Sequence, residues 1–324
     1  MNLPVFLRQR ASVVGILIGA AYGVLARLMI IAGSWAQLPF VVMTLGFLFL
    51  VPVAIGYLTI ATAGSTSWRD RVFAPWGACA LVVLVAALLA WEGAICVIMA
   101  LPVMLVCSSI GGMMAGALSS RRLVVAPLVA ILPWAVMPAE RGVVHPARHT
   151  TSTSEITIDA PVGTVWPLVV SVDTILPTEH RRALFTSMGF PRPIAATIDR
   201  PGIGGVRTAT FERGVIFRER VTEWAPERRL SFTIDPITVP DDAMDPHVEI
   251  GGPYFDVLTG TYELQPLEGG RTRLVLRSEH RTSTAFNLYA AWWADRVMAS
   301  IQRNILVVLR DRAERGRLTN GPTA

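Results

Sequence analysis

The stretch Glu155-Ile-Thr-Ile-Asp-Ala-Pro-Val-Gly-Thr-Val-Trp166 changes its hydrophobic period part-way along. Ile156 and Ile158 alternate with polar side chains, which is the pattern of a strand with one wet face. From Val162 the apolar positions recur as Val162, Val165, Trp166 and Val169, the spacing of a helix. Asp159 and Pro161 stand at the changeover, where Asp accepts orphan helix N–H groups and Pro suits the first turn. A strand that feeds a short helix therefore opens a folded, water-soluble domain.

Working downstream, a second short helix is expected over about 178–188. Strands follow near 194–199, 205–212, 215–224, 228–235, 256–265 and 271–280, separated by turn residues. Arg228-Arg229-Leu-Ser-Phe-Thr-Ile234 alternates cleanly, with Leu230, Phe232 and Ile234 inward, and Gly269-Gly270 makes a hairpin turn. Residues 284–316 read as one long helix. Phe286, Tyr289, Trp293, Val297, Ile301, Ile305 and Val308 fall on one stripe, Ser283 or Thr284 can cap it, and Gly316 can end it.

Working upstream, residues 139–153 read as a linker, and before them the chain is almost wholly apolar. Five apolar stretches stand out, at about 11–33, 38–63, 73–91, 93–118 and 123–138. The first four are long enough to cross a hydrocarbon core of ~30 Å. The fifth is shorter and contains Pro127, Pro133 and Pro138. Within the spans Arg27 alone is ionisable, and it can snorkel or pair near an interface. Gly111, Gly112 and Gly116 have the small-residue spacing that lets helices approach closely. The region reads as an anchor or small helical bundle rather than a channel.

Charge placement separates the two halves. Residues 1–138 hold seven Arg and two acids, a net of +5; the remainder holds 22 Arg and 22 acids and is neutral. The chain has no Lys, so Schiff-base catalysis through lysine is excluded. Arg8 and Arg10, Arg69 and Arg71, and Arg121 and Arg122 occupy alternate ends of the apolar stretches, whereas Glu92 lies in a connection without basic residues. That asymmetry predicts a cytoplasmic N-terminus in a multi-pass inner membrane protein of bacterial type. Five spans then put the soluble domain in the periplasm; an interfacial fifth segment would leave it inside. The basic excess belongs to this topology signal, so no nucleic-acid partner is expected. Cys79, Cys96 and Cys107 all lie in apolar segments, and the soluble domain has no cysteine chemistry.

The order of the soluble elements, one strand, two short helices, six strands and a long helix, resembles the START-like or SRPBCC superfamily of polyketide cyclase and lipid-transfer helix-grip domains. Three segments carry the resemblance: Ile156 to Trp166, Arg218-Glu-Arg-Val-Thr-Glu-Trp-Ala-Pro-Glu-Arg-Arg-Leu230-Ser-Phe, and Gly260-Thr-Tyr-Glu-Leu-Gln-Pro-Leu-Glu-Gly-Gly-Arg-Thr-Arg-Leu274. It covers roughly 154–315, within a domain bounded at 154–317 and followed by a tail at 318–324. The resemblance implies an α+β fold in which a curved antiparallel sheet grips the C-terminal helix around an elongated cavity for lipids, sterols, polyketides or other apolar molecules. Phe217, Val221, Leu230, Phe232, Tyr262, Leu276, Tyr289 and Trp293 would line it, as ligand contacts or simply as core.

Few residues offer chemistry. Alternation places Glu219 on the inward face with Phe217 and Val221, where a carboxylate must be paired or have a raised pKa. It is a ligand-binding or general-base candidate, and an ion pair with an Arg such as Arg207 is the plainer reading. His180 is a second catalytic candidate, on the short helix. His247, Glu249, Asp241, Asp242 and Asp245 form an acidic loop that matches no calcium pattern. His145 and His149 have metal-ligand spacing only in a helix, against which Pro146 argues. Gly202, Gly204 and Gly205 precede a strand and read as a turn rather than a phosphate loop. No Ser–His–Asp or His-Glu-x-x-His arrangement can be assembled by spacing. Neither a cofactor nor a metal is expected. The expected partners are a lipid bilayer and an apolar small molecule. Binding for transfer or sensing is favoured over a cyclase/aromatase activity and over a regulatory subunit that docks another protein.

Overall fold

The computed structural model describes residues 5–35, 42–64, 67–140, 143–181, 184–240 and 250–319. The acidic-loop residues 241–249 lie outside them. The chain divides into two compact units, Met1–His145 and Pro146–Ala324.

The first unit consists of α1 (Val5–Trp35), α2 (Val51–Ala63, entered through a π-helical turn at Gly46–Leu50), α3 (Trp68–Leu88), α4 (Ala94–Ala117) and α5 (Arg122–Glu140). Among the described residues, five helices are long and apolar enough to cross a membrane. The fifth is a continuous helix of 19 residues despite its three prolines, longer than the sequence reading allowed. Glycines set the helix spacing. A Cβ on Gly56 would meet Ser108 O at 1.8 Å, and one on Gly111 would meet Val53 O at 1.9 Å, so α2 and α4 touch backbone to backbone. Gly112 lies equally close to Arg71 O at the start of α3. Arg27 does not stay solvated: its Nε donates to Glu92 Oε1 at 2.6 Å and its Nη2 to Trp91 O at 3.1 Å. Both side chains are largely buried, so the carboxylate cancels the charge that the apolar helices could not carry. At the end of α5, Glu140 accepts N–H groups from Leu45 and Gly46, satisfying donors at the start of the π-helical turn.

The second unit is β1 (Arg148–Ile158), α6 (Val162–Val170), a 3₁₀ turn at Pro177–Glu179, α7 (Leu184–Ser187), β2 (Pro193–Ile198), β3 (Val206–Phe211), β4 (Ile216–Ala225), β5 (Arg229–Thr238), β6 (Phe255–Leu267), β7 (Arg271–Thr282) and α8 (Asn287–Thr319). One antiparallel sheet contains all seven strands in the order β1-β7-β6-β5-β4-β3-β2. Register shifts in the β4–β5 and β6–β7 ladders bend the sheet. Strand order and long helix together are consistent with the helix-grip fold that the resemblance implied.

Several boundaries differ from expectation for identifiable reasons. β1 begins at Arg148, so the last six residues of the expected linker are strand; their Thr- and Ser-rich sequence hides the alternation, and pairing with β7 supplies the order. Pro161, not Asp159, is the N-cap of α6. The segment 178–188 breaks into a 3₁₀ turn and a single helical turn. α8 starts at Asn287, whose Oδ1 accepts the Thr284 N–H at 2.6 Å, and runs past Gly316 to Thr319. Gly202, Gly204 and Gly205 do form a turn before β3, and Gly269 and Gly270 both take positive φ in the β6–β7 hairpin.

The segment between α6 and β2 is fastened to α8 by charge. Arg312 donates to Asp173 O at 3.0 Å and Thr174 O at 2.8 Å and holds Glu179 Oε2 at 2.7 Å; Arg315 reaches Glu179 Oε1 at 2.8 Å. These guanidinium contacts lower the Glu179 carboxyl from 4.5 to about 2. A depressed folded-state pKa gives stability that is full above the ordinary glutamate range and lost as pH falls through about 2. Glu179→Gln is therefore expected to destabilise the domain by about 2 kcal/mol near neutrality. In denaturation experiments on wild type and variant, that difference should shrink between about pH 5 and pH 2.

Candidate functional site

The inner face of the sheet follows from alternation. Phe217, Glu219 and Val221 of β4 are buried while Arg218 and Arg220 are exposed, and Leu230 and Phe232 of β5 and Tyr262 and Leu264 of β6 share the inward face. Six of the expected lining residues, Phe217, Val221, Leu230, Phe232, Tyr262 and Leu276, lie in one apolar cluster with residues of α6 and α8. Phe232 is placed by Gly260, its partner on β6, since a Cβ there would meet the Phe232 ring at 2.5 Å. Tyr289 and Trp293 lie outside that cluster, packed edge to face with ring centroids 6.4 Å apart near the start of α8.

Two charges stand within this apolar face. Arg207 of β3 is the direct ladder partner of Glu219, and their side chains form an ion pair in which neither is more than 8% exposed. The guanidinium extends over the Phe232 and Tyr262 rings, at 5.4 and 6.0 Å from their centroids. Burial raises the Glu219 carboxyl above its ordinary range, and Arg207 opposes that shift. Arginine keeps its proton, and that fixed positive charge is what opposes the protonation of Glu219 that burial favours. Burial likewise raises the Tyr262 phenol, again with Arg207 opposing. Arg207 Nε has no hydrogen-bond partner among the described residues, while the guanidinium also interacts with the Tyr262 hydroxyl.

The other candidate lies apart from this pair. His180 is half-buried beside Asn304 of α8, with Nδ1 3.2 Å from the amide nitrogen. Burial, helped by the nearby Arg192, lowers its pKa, so the ring is neutral near pH 7. Among the described residues no hydrogen bond or ion pair joins His180 to Glu219. His149 lies on β1 with Nδ1 3.2 Å from Glu279 Oε1, a strand pair rather than part of a helical ligand set.

Sequence reasoning missed a second polar group on the inner face. β7 changes from Leu274 and Leu276 to Ser278, His280 and Thr282 at the same parity, all of them buried. Facing it are Ser152 of β1 and Asp295 and Gln302 of α8. The signal was present as an apolar-to-polar switch along one face, and extending the strands beyond 280 and before 154 would have exposed it.

No protein-family model and no curated sequence matches the chain. Among solved structures, the Zhui aromatase/cyclase from Streptomyces sp. R1128 is similar at 19% identity and a TM-score of 0.33, over 55% of this chain and 100% of that one. NE0264 from Nitrosomonas europaea is similar at 18% identity and 0.32, over 51% of this chain and 95% of that one. DynU16, from the dynemicin biosynthetic locus, is similar at 15% identity and 0.32, over 52% of this chain and 48% of that one. The fold assignment rests on the strand order and on α8.

Breaking one side of the Arg207–Glu219 pair strands a buried charge, which typically costs 3–5 kcal/mol, whereas apolar replacement of both partners is often neutral. Glu219→Gln should therefore destabilise the domain by about 3 kcal/mol. The paired change Arg207→Met with Glu219→Leu should recover most of that loss, as read by chemical denaturation.

Proposed function

We propose that residues 146–324 bind an apolar small molecule between the inner face of the sheet and α8, and that the five apolar helices hold this domain at a membrane. One observation carries the choice of binding over catalysis: the acid on the aromatic face is committed to Arg207, and the neutral His180 is bonded elsewhere. General acid–base work needs a group free to exchange its proton beside the substrate. Neither of the two candidates that the sequence offered is free in this way. The helix-grip scaffold and the set of Phe217, Phe232 and Tyr262 suit an apolar ligand. An apolar ligand partitions into a bilayer, so anchoring raises the concentration that the domain meets.

The arginine asymmetry supports a cytoplasmic N-terminus, and five spans then carry the domain to the periplasmic side of the inner membrane. Transfer or sensing of a lipid or polyketide-like molecule follows as the role, with START-like or SRPBCC membership as the family reading.

Native mass spectrometry of the detergent-purified chain, followed by organic extraction, is expected to release a co-purifying apolar compound. A clean apo mass that persists after incubation with membrane lipids would sink the binding proposal. For sidedness, Glu268→Cys in the exposed β6–β7 turn should react with a membrane-impermeant thiol reagent added to the periplasmic side; labelling only after lysis would place the domain inside.

A further inference from the structure

The long helix α8 changes character along its length. From Asn304 to Leu309 nearly every side chain is buried, so the helix is enclosed there. Its first half is open on one side. Leu288, Trp292, Arg296 and Arg303 are exposed, and their spacing of four, four and seven puts them on one stripe. Leu288 is 76% exposed and Trp292 46%. The Arg296 guanidinium stacks on the Trp292 ring, 3.3 Å from its centroid, and its Nη1 donates to Trp292 O at 3.0 Å. Among the described residues neither Arg296 nor Arg303 is paired with a carboxylate. A lone exposed leucine needs no explanation. Here leucine and tryptophan at the helix start are followed by arginines one and three turns further on. That order suits a membrane interface, with the apolar groups at the acyl boundary and the cations among the phosphates.

Sheet topology decides which end of the domain carries this stripe. Arg148 at the start of β1 and Phe255 at the start of β6 both pair with Thr282 at the end of β7, and α8 begins just beyond, at Asn287. The Asn287 amide donates to Pro146 O at 2.7 Å, which fixes the start of α8 where the chain enters the domain. The β6–β7 turn at Glu268 lies at the opposite end, roughly 35 Å away along β7. Only residues 141–145 separate Pro146 from Glu140, the last residue of α5. Fully extended, that connection reaches at most about 20 Å. The 19 residues of α5 rise about 28 Å, one hydrocarbon thickness, so Glu140 ends at an interface of any membrane that α5 spans. The covalent chain alone therefore keeps Leu288 within reach of that interface.

We propose that the exposed stripe of α8 docks the soluble domain on the bilayer that anchors it, with Leu288 and Trp292 in the interfacial layer and Arg296 and Arg303 on lipid phosphates. The docking rests on the membrane-anchor reading above and adds the surface and the direction in which the domain is held. A tryptophan ring is favoured at headgroup depth, and the stacked guanidinium keeps its charge at the wet edge of that ring. A second copy is a poorer occupant. A two-fold contact through this stripe would bury the arginines of both copies with no acid on the stripe to neutralise them.

The test uses the full chain in vesicles of phosphatidylethanolamine and phosphatidylglycerol, with or without bromine on the acyl chains close to the headgroup. A fluorophore is attached at Leu288→Cys or at Glu268→Cys, and labelled wild type, whose cysteines all lie in α3 and α4, supplies the blank. Bromine is expected to quench the Leu288 label at least fivefold more than the Glu268 label, and Trp292→Gln should reduce that quenching about threefold. Trp292 is largely exposed, so the substitution should leave the melting temperature unchanged. A chain that floats with the vesicles but shows equal quenching, or none, at the two labels overturns the docking and leaves the anchor reading standing. A Leu288 label that is shielded from water yet unquenched by bromine also overturns it, because protein rather than lipid then covers the stripe. Quenching that Trp292→Gln leaves unchanged assigns the proximity to the short connection alone and overturns the docking as well. A chain that does not float with the vesicles overturns both readings.

Discussion

The ladder between β1 and β7 is the constraint from which the soluble domain follows. Pairing Arg148–Ile158 with Thr272–Thr282 joins the first strand of the domain to the last and sends β2 to the opposite edge of the sheet. The six strands from β2 to β7 then form an unbroken antiparallel meander, each paired with its neighbour in sequence. Because β1 is an edge strand, its other side is open, and α8 packs against it with Asp295 and Gln302. Residues 171–175 protect the far edge: Val172 bridges to Ala196, and the Ile175 N–H reaches Ile194 O at 2.7 Å.

Within that frame the interior is unusual in where it keeps its polarity. An apolar sheet face ordinarily excludes charge, and here it holds a guanidinium and a carboxylate that satisfy one another across a ladder pair. The neutral polar group by α8 is different in kind, because its atoms are connected yet incompletely paired.

The helical unit solves its own charge problem separately. Arg27 on α1 is neutralised by Glu92 from the α3–α4 connection, and the helices approach at glycines where any side chain would collide with backbone. Close approach gives van der Waals contact along the α2–α4 and α3–α4 seams.

How much of this was legible depended on whether the information was local. The five apolar stretches, the strand alternation from 194 to 280 and the long helical stripe are periodicities of neighbouring residues, and each appeared close to its expected place. The inward direction of Glu219 and its plainest partner, Arg207, also followed from alternation, because the parity of each strand fixes its faces. The extent of β1 did not follow, since Arg148-His-Thr-Thr-Ser-Thr153 has no apolar rhythm and becomes a strand only because β7 supplies its hydrogen bonds. The start of α8 is capped locally, as the polar residues there suggested: Thr284 Oγ1 accepts the Phe286 N–H and Asn287 Oδ1 accepts the Thr284 N–H, while the Asn287 amide donates to the distant Pro146 O. The polar cluster of Ser152, Ser278, Asp295 and Gln302 joins residues 143 and 150 positions apart in the chain. Sequence by itself determined the two-part division, the element types and the faces of the strands, because these depend on local spacing and burial. Only the tertiary structure decided which inward polar residues meet, since a hydrogen bond is fixed by the position of two distant backbones and not by the pattern of either one.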